Sequence, residues 1–356
     1  MNATFSGGLV RAGRSAREQF HDARGYGRPV GGDLELAPVE AAHLLYRGDL
    51  AAVDGDGFRA FLASAAVSET AVLVYKDLRD RGFYLSPARE GWPGVPDEAV
   101  TDPATDLVVY PRGSGPWDGS VAYRVGVAGE RESVPAATLG TVVLAVVDEE
   151  SEITYLETGR PDPSGSAGID LPEGVPGELL SDRVFLWDPP ARLYERGFYG
   201  QRLDDGADVL QLSLVEAAYL VARECLSLEG NSGRVVDLGR EVEGERFDRR
   251  LRVYTALRDR GVVPKTGFKF GADFRTYADV ASVEELGHSE LLVRVLDAGH
   301  AFSPRDLALD VRLAHGVRKE MVFALVEDSG SPVADGSGEQ NGDEGIEWLS
   351  VSRVTP

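Results

Sequence analysis

Val74-Tyr75-Lys76-Asp77-Leu78-Arg79-Asp80-Arg81-Gly82 recurs 179 residues later as Val253-Tyr254-Thr255-Ala256-Leu257-Arg258-Asp259-Arg260-Gly261. A repeat at a fixed spacing bears on the whole architecture, so it is read before any local pattern. Two more matches fall in the same order. Upstream, Val39-Glu40-Ala41-Ala42-His43-Leu44 matches Val215-Glu216-Ala217-Ala218-Tyr219-Leu220, 176 residues on. Downstream, 142–149 matches 321–328 in apolar pattern, again 179 residues apart. Three collinear matches predict a tandem duplication of a unit of about half the chain.

Both copies carry the same local signals. An apolar helical pattern runs through 36–45 and 212–222. A second helix in each ends in Arg-Asp-Arg-Gly, a basic last turn followed by a glycine stop. Apolar strands follow at 107–110, 121–127 and 141–147, and at 274–277, 289–296 and 321–326. The fold class expected is α+β. Each copy should hold a small helical and antiparallel-sheet N-terminal domain, then an α/β C-terminal domain with a mixed sheet. The boundaries are set at 1–68 and 69–160 for the first copy and at 181–247 and 248–356 for the second. The proline- and glycine-rich segment 161–180 links them. An acidic, glycine-rich stretch at 329–345 has no counterpart in the first copy and reads as a solvent-exposed loop.

Composition narrows the function classes. With 356 residues and 43% hydrophobic content, the chain has material for several buried cores. The apolar run 142–147 is far too short to cross a bilayer. The first ten residues lack a basic region followed by an apolar stretch, so a cytoplasmic protein is expected, and the glycosylation pattern Asn2-Ala3-Thr4 is discounted. The single cysteine, Cys225, excludes an internal disulfide and a multi-cysteine zinc site; it reads as a small buried side chain on a helix. Net charge is −22, and lysine occurs only at positions 76, 265, 269 and 319. Such a surface resembles those of proteins that work in strong brine. At about 1 M salt the Debye length is roughly 3 Å, which screens self-repulsion. Net charge alone argues against nucleic-acid binding, so local basic clusters matter more.

Those clusters lie in the second copy, which holds three of the four lysines and three of the five histidines. The relevant segments are Lys265-Thr266-Gly267-Phe268-Lys269-Phe270-Gly271-Ala272-Asp273-Phe274-Arg275-Thr276-Tyr277, then Gly287-His288-Ser289, then Arg312-Leu313-Ala314-His315-Gly316-Val317-Arg318-Lys319. A lysine retained in a lysine-poor chain points to a task for a compact ammonium, such as contact with a phosphoryl oxygen. His288, His300 and His315 match no usual zinc-ligand spacing.

With these segments, residues 253–326 resemble the catalytic domain of the archaeal tRNA-splicing endonuclease family. The duplication resembles that family's long-chain form, in which a degenerate copy precedes the active one. The resemblance implies a nuclease-like C-terminal domain in each copy. It also implies a homodimer, a precursor tRNA substrate with a bulge-helix-bulge motif, and cleavage to 2′,3′-cyclic phosphate and 5′-OH ends. No metal, cofactor or membrane is implied. Tyr277 would be the base, His288 the acid and Lys319 the cation facing the charged phosphorane. Histidine titrates near ambient pH and suits the acid. Tyrosine is a poor base unless a cation such as Lys319 lies close. Arg312 and Arg353 would clamp a flipped base, since guanidinium planes stack on unpaired bases. Asp148, Glu149, Glu150 and Glu152 would form an acidic docking turn between catalytic units.

The first copy serves as an internal control. Alignment through Arg124 and Arg294 puts Asp118 opposite His288. Alignment through Ala145 and Ala324 puts Gly140 opposite Lys319 and Ser133 opposite Arg312, while Tyr110 stands opposite Tyr277. The first copy is therefore expected to be inactive. Two rival readings are a non-catalytic RNA-binding subunit and a metal-dependent DNA nuclease. The second would need a carboxylate cluster near Lys319, and none is evident in the sequence.

Overall fold

An antiparallel hairpin, β1 (Asn2–Ser6) and β2 (Leu9–Ala12), opens the chain. β3 (Arg28–Val30) and β4 (Asp33–Leu36) extend it in the order β3-β4-β2-β1. Helix α1 (Pro38–Tyr46) begins with proline, whose missing N–H costs nothing in a first turn. Glu40 in that turn is fully buried and accepts the N–H groups of Gly27 (2.6 Å) and Ala37 (2.8 Å) and the indole N–H of Trp92 (3.1 Å). Helix α2 (Glu69–Asp80), capped by Ser68, leads to β5 (Leu85–Pro87), β6 (Leu107–Val109), β7 (Tyr123–Gly129), β8 (Val143–Val147) and β9 (Ile153–Gly159). These five are neighbours in chain order, antiparallel except for the parallel pair β7/β8.

The second half repeats this succession. β10 (Glu178–Leu180), β11 (Arg183–Trp187), β12 (Gln201–Arg202) and β13 (Val209–Ser213) form a small sheet. Helices α3 (Leu214–Ala222), α4 (Arg234–Glu243) and α5 (Glu245–Asp259) follow. Then come β14 (Val263–Thr266), β15 (Phe274–Tyr277), β16 (Leu291–Asp297), β17 (Glu320–Val326) and β18 (Ile346–Val354), again antiparallel except for β16/β17. A parallel pair needs a crossover, and here it is α6 (Pro304–Gly316). The connection between β7 and β8 contains only the two-residue strand Val134–Pro135 and the short turn Ala136–Thr138, so Ser133 has no helix to place it as α6 places Arg312.

This computed structural model describes residues 1–64, 66–204, 208–229, 233–327 and 344–356. It divides into two units: Met1–Gly159 with Ala301–Leu309 and Ser352–Pro356, and Arg160–His300 with Asp310–Val351. In the first, Val74, Tyr75 and Leu78 of α2 belong to one buried cluster with Leu107, Val125 and Ala145. In the second, Val253, Tyr254 and Leu257 of α5 do the same with Phe274, Val293 and Ala324. β8 is buried along its whole length, and β17 after its first residue, which is why both read as unbroken apolar runs.

The repeated Arg-Asp-Arg-Gly motif has a structural basis. Arg258 lies 3.9 Å over the Tyr199 ring and donates to the Tyr254 hydroxyl (2.9 Å) and the Gly197 carbonyl (2.7 Å). Arg79 lies 3.8 Å over Tyr26 and donates to the Arg24 carbonyl at 3.0 Å. Gly261 turns the chain at φ +73°, and the linking segment passes against it. The N–H groups of Gly165, Ser166 and Ala167 donate to the carbonyls of Arg260, Ala278 and Gly261 at 2.8–2.9 Å. A β-carbon on Gly165 would come within 2.4 Å of the Gly261 carbonyl, so only glycine passes here.

The mixed α and β organisation follows the sequence reading, and the expected strands agree with the observed ones within about two residues. Cys225 differs. It is buried, yet it stands in the turn after α3, its N–H bonded to the Leu220 carbonyl at 2.9 Å, and burial pushes its thiol up to about 11. Of the 329–345 stretch, only 344 and 345 lie within the described residues. No helix among the described residues is long and apolar enough to cross a membrane.

Candidate active site

Strand register gathers the candidate residues of the second unit at one end of its sheet. Tyr277 ends β15, opposite Val263. The N–H of Glu290, just ahead of β16, donates to the Thr276 carbonyl, and the N–H of Glu320 donates to the Glu290 carbonyl, both at 3.1 Å. The end of β15 and the lead-ins to β16 and β17 are thus adjacent. His288 stands in the exposed lead-in to β16, and Lys319 immediately precedes β17.

Lys319 is tied down through both its backbone and its ammonium. Helix α6 ends in a turn in which Arg318 takes a left-handed conformation, φ +57°, and the Lys319 N–H returns to the Ala314 carbonyl at 3.0 Å. Its ammonium donates to the Ser289 carbonyl at 2.5 Å, one residue from His288, and lies 5.7 Å from the Phe270 ring centroid. Burial holds the ammonium below the ordinary lysine value, and the charge of Arg275 adds to the effect. The Tyr277 ring is buried, edge-on to Phe198 at 5.7 Å, in a cluster with Val263 and Val280. A cleft of about 230 Å³ opens beside these strands, lined by Asp162, Ser164, Thr276, Glu290 and Leu291 among others. Reading the sequence for the trio alone passed over Ser289, Phe270 and Arg275. The backbone carbonyl of Ser289 leaves no signal in side-chain identity.

The other candidates are placed as follows. Arg312 is exposed on α6, which an Arg294–Asp310 ion pair ties to β16. Arg353 is exposed on β18, two residues beyond the last position paired with β17. Asp148 folds into its own turn, its carboxylate accepting the N–H groups of Glu150 and Glu152 at 2.9 Å. Glu149 pairs with Arg131 at 2.5 Å, and the side chains of Glu150 and Glu152 are exposed.

Lys265 departs from the phosphate-facing role expected of a retained lysine. It is buried, donating to the Phe198 (3.1 Å) and Gly200 (2.7 Å) carbonyls and to Glu216 (3.0 Å). Burial alone would raise the Glu216 carboxyl, but Lys265 and the N–H groups of Ser213 and Gly200 hold it below the usual carboxylate range. Glu40, buried without a lysine, is pushed up by that same loss of solvent.

Comparing the two sets of five strands position by position corrects one alignment. Ala145 pairs with Val127 as Ala324 pairs with Val295, and Leu107 pairs with Val125 as Phe274 pairs with Val293. Both comparisons give the same shift. Tyr110 keeps the place of Tyr277 and Gly140 that of Lys319, but Ser120, not Asp118, takes the place of His288. The alignment through Arg124 and Arg294 was two residues out of register, because strand pairing follows backbone hydrogen bonds and not residue type. Asp118 instead accepts the Gly115 N–H at 2.7 Å, closing a turn. Tyr110 is fully buried, donates to the Pro93 carbonyl at 2.9 Å, and is pushed up to about 12 by burial.

Among the described residues, no group of three or more His, Cys, Asp or Glu side chains is arranged to hold a metal ion, so His288, His300 and His315 do not form one.

Comparisons with known proteins identify the family. The family described as tRNA intron endonuclease, catalytic C-terminal domain, matches residues 247–333. The companion N-terminal domain family matches twice, at 1–61 and 175–240. The tRNA-splicing endonuclease of Haloarcula marismortui is 64% identical, with 100% of each chain covered. That of Natronomonas pharaonis is 61% identical over 100% of both chains, and that of Methanosarcina mazei 37% identical over 99% of both. On full-length similarity and matched domains, the chain belongs to the tRNA-splicing endonuclease family.

Proposed function

We propose that this chain cuts precursor tRNA at both intron boundaries in a bulge-helix-bulge motif, without a metal ion. The observation that carries the reading is the Lys319 ammonium fixed on the Ser289 carbonyl, one residue from His288 and beside the strand that ends in Tyr277. In the proposed step, Tyr277 takes the proton of a ribose 2′-OH as its oxygen bonds to the adjacent phosphorus. The bond from phosphorus to the 5′-oxygen breaks, and His288 supplies the proton to that leaving oxygen. Lys319 faces the charge that develops between these events, where a prepositioned cation is most effective. The products are a 2′,3′-cyclic phosphate and a 5′-OH. Arg312 and Arg353 are assigned to hold an unpaired base by stacking.

The chain is further read as a tandem duplication, with domains at 1–68, 69–160, 181–247 and 248–356 and a linker at 161–180. Support comes from the matching strand order and direction of the two five-strand sets and from the double match of the N-terminal domain family. The first half is inactive in this reading. Two chains would pair as a cytoplasmic homodimer, each acidic turn, chiefly Glu150 and Glu152, docking on the other catalytic unit. Cleavage of a bulged RNA in excess chelator, with end-group analysis, tests the chemistry. Retained activity with 5′-OH products is expected. Loss with chelator, or 5′-phosphate products, would overturn the mechanism. Binding without cleavage would favour a non-catalytic RNA-binding subunit.

A further inference from the structure

Arg275 is a cation of this region that the proposed chemistry leaves unused. It lies two residues before Tyr277 on β15, so both side chains leave the same face of the sheet. Its guanidinium carbon is 5.8 Å from the Tyr277 ring centroid, and its field reaches Lys319. Nearby charges do not neutralise it. Lys265, opposite it in register, is matched by Glu216, and Asp273, two residues back, is held by Arg246 and Arg250. Among the described residues no carboxylate pairs with Arg275, and its buried Nε has no hydrogen-bond partner. A buried donor left unmatched is destabilising, and more so when charged. Two cations in each other's field, one lacking any anion, are poorly arranged for stability and well arranged for an incoming anion. Strand register places Val108, fully buried, where the first half would hold the equivalent of Arg275.

We propose that Arg275 is a further phosphate ligand of the site, its guanidinium binding a non-bridging oxygen of the scissile phosphate beside Lys319. This rests on the cleavage reading given above. Arginine suits the task because its planar donors can grip a phosphate and its charge persists at any working pH. Arg275 transfers no proton. It shares with Lys319 the negative charge that builds on phosphorus as the 2′-oxygen adds and the 5′-oxygen leaves.

The test uses the full chain and a bulged RNA carrying, in separate preparations, each single phosphorothioate diastereomer at the scissile linkage. On unmodified RNA, Arg275→Met should lower kcat about 100-fold while KM changes less than about threefold. The diastereomer that slows the unaltered chain should give no further slowing in Arg275→Met, and added guanidinium ion should restore part of the rate. Wild-type turnover, a loss confined to KM, or an undiminished phosphorothioate effect would overturn the assignment. Should Arg275→Met fail to fold, Arg275→Lys keeps the charge: about a tenfold loss with a reduced phosphorothioate effect is expected, and a wild-type effect refutes the contact. If the unaltered chain leaves the RNA uncut, the cleavage reading itself fails. If it cuts and Arg275→Met cuts equally well, only this inference fails.

Discussion

At the scale of single residues, the proposed site separates side chains assigned to chemistry from those that hold them. His288 is exposed, so His288→Ala should lower kcat by about 10²–10⁴-fold while stability to urea stays within about 0.5 kcal/mol. Near-normal cleavage by that variant would remove the acid assignment. Lys319→Met should cost about 10²–10³-fold in kcat. The sequence singled out Tyr277, His288 and Lys319 as a candidate set because their spacing resembles a known family. It did not reveal that the Ser289 carbonyl accepts the Lys319 ammonium, or that Lys265 is a core residue. Both depend on partners far along the chain, Lys319 for one and Glu216 for the other.

Among the secondary-structure elements, the turns were the most legible. Arg-Asp-Arg-Gly announced two helix ends, and unbroken apolar runs announced β8 and β17. The exact pairing of β6 with β7 was not legible, because Arg124 offered a false match to Arg294. Only hydrogen-bond register exposed the shift, and with it Ser120. The join between α3 and β14 also depends on pairing, through Lys265 and Glu216. Removing one partner of such a buried pair leaves an unmatched charge, so Lys265→Met should destabilise the chain by about 3–5 kcal/mol in chemical denaturation. The double variant Lys265→Met with Glu216→Gln should cost less than the two single changes added together; simple additivity would refute the coupling. The sign of the pH effect follows from the lowered Glu216 carboxyl. Its contribution is present above the ordinary glutamate value of 4.5, which the unfolded chain shows, and is lost as pH falls through the lower folded value. Acid denaturation of Glu216→Gln should therefore lose this component of its pH dependence.

For the molecule as a whole, a net charge of −22 predicts self-repulsion that salt relieves. The melting temperature should climb as salt rises from about 0.2 M to about 2 M, where screening shortens to a few ångströms. A flat or falling curve would show that the acidic surface is neutral to stability. The two halves share strand order and direction, but the Gly140 backbone sits at φ +112°, a region that side-chain-bearing residues rarely occupy. Ser120→His with Gly140→Lys should therefore leave the first half without cleavage activity, scored in a chain also carrying His288→Ala, and should cost about 1–3 kcal/mol in stability. On the duplication proposed above, the glycine at 140 is in that sense a ratchet. Once a backbone has relaxed into a conformation that only glycine tolerates, the former side chain cannot return by a single substitution, because the peptide geometry that displayed it has gone. On the same reading, drift can accumulate in the first half without reopening a second cutting site in the same chain, and the number of active centres is guarded by backbone shape as well as by residue identity.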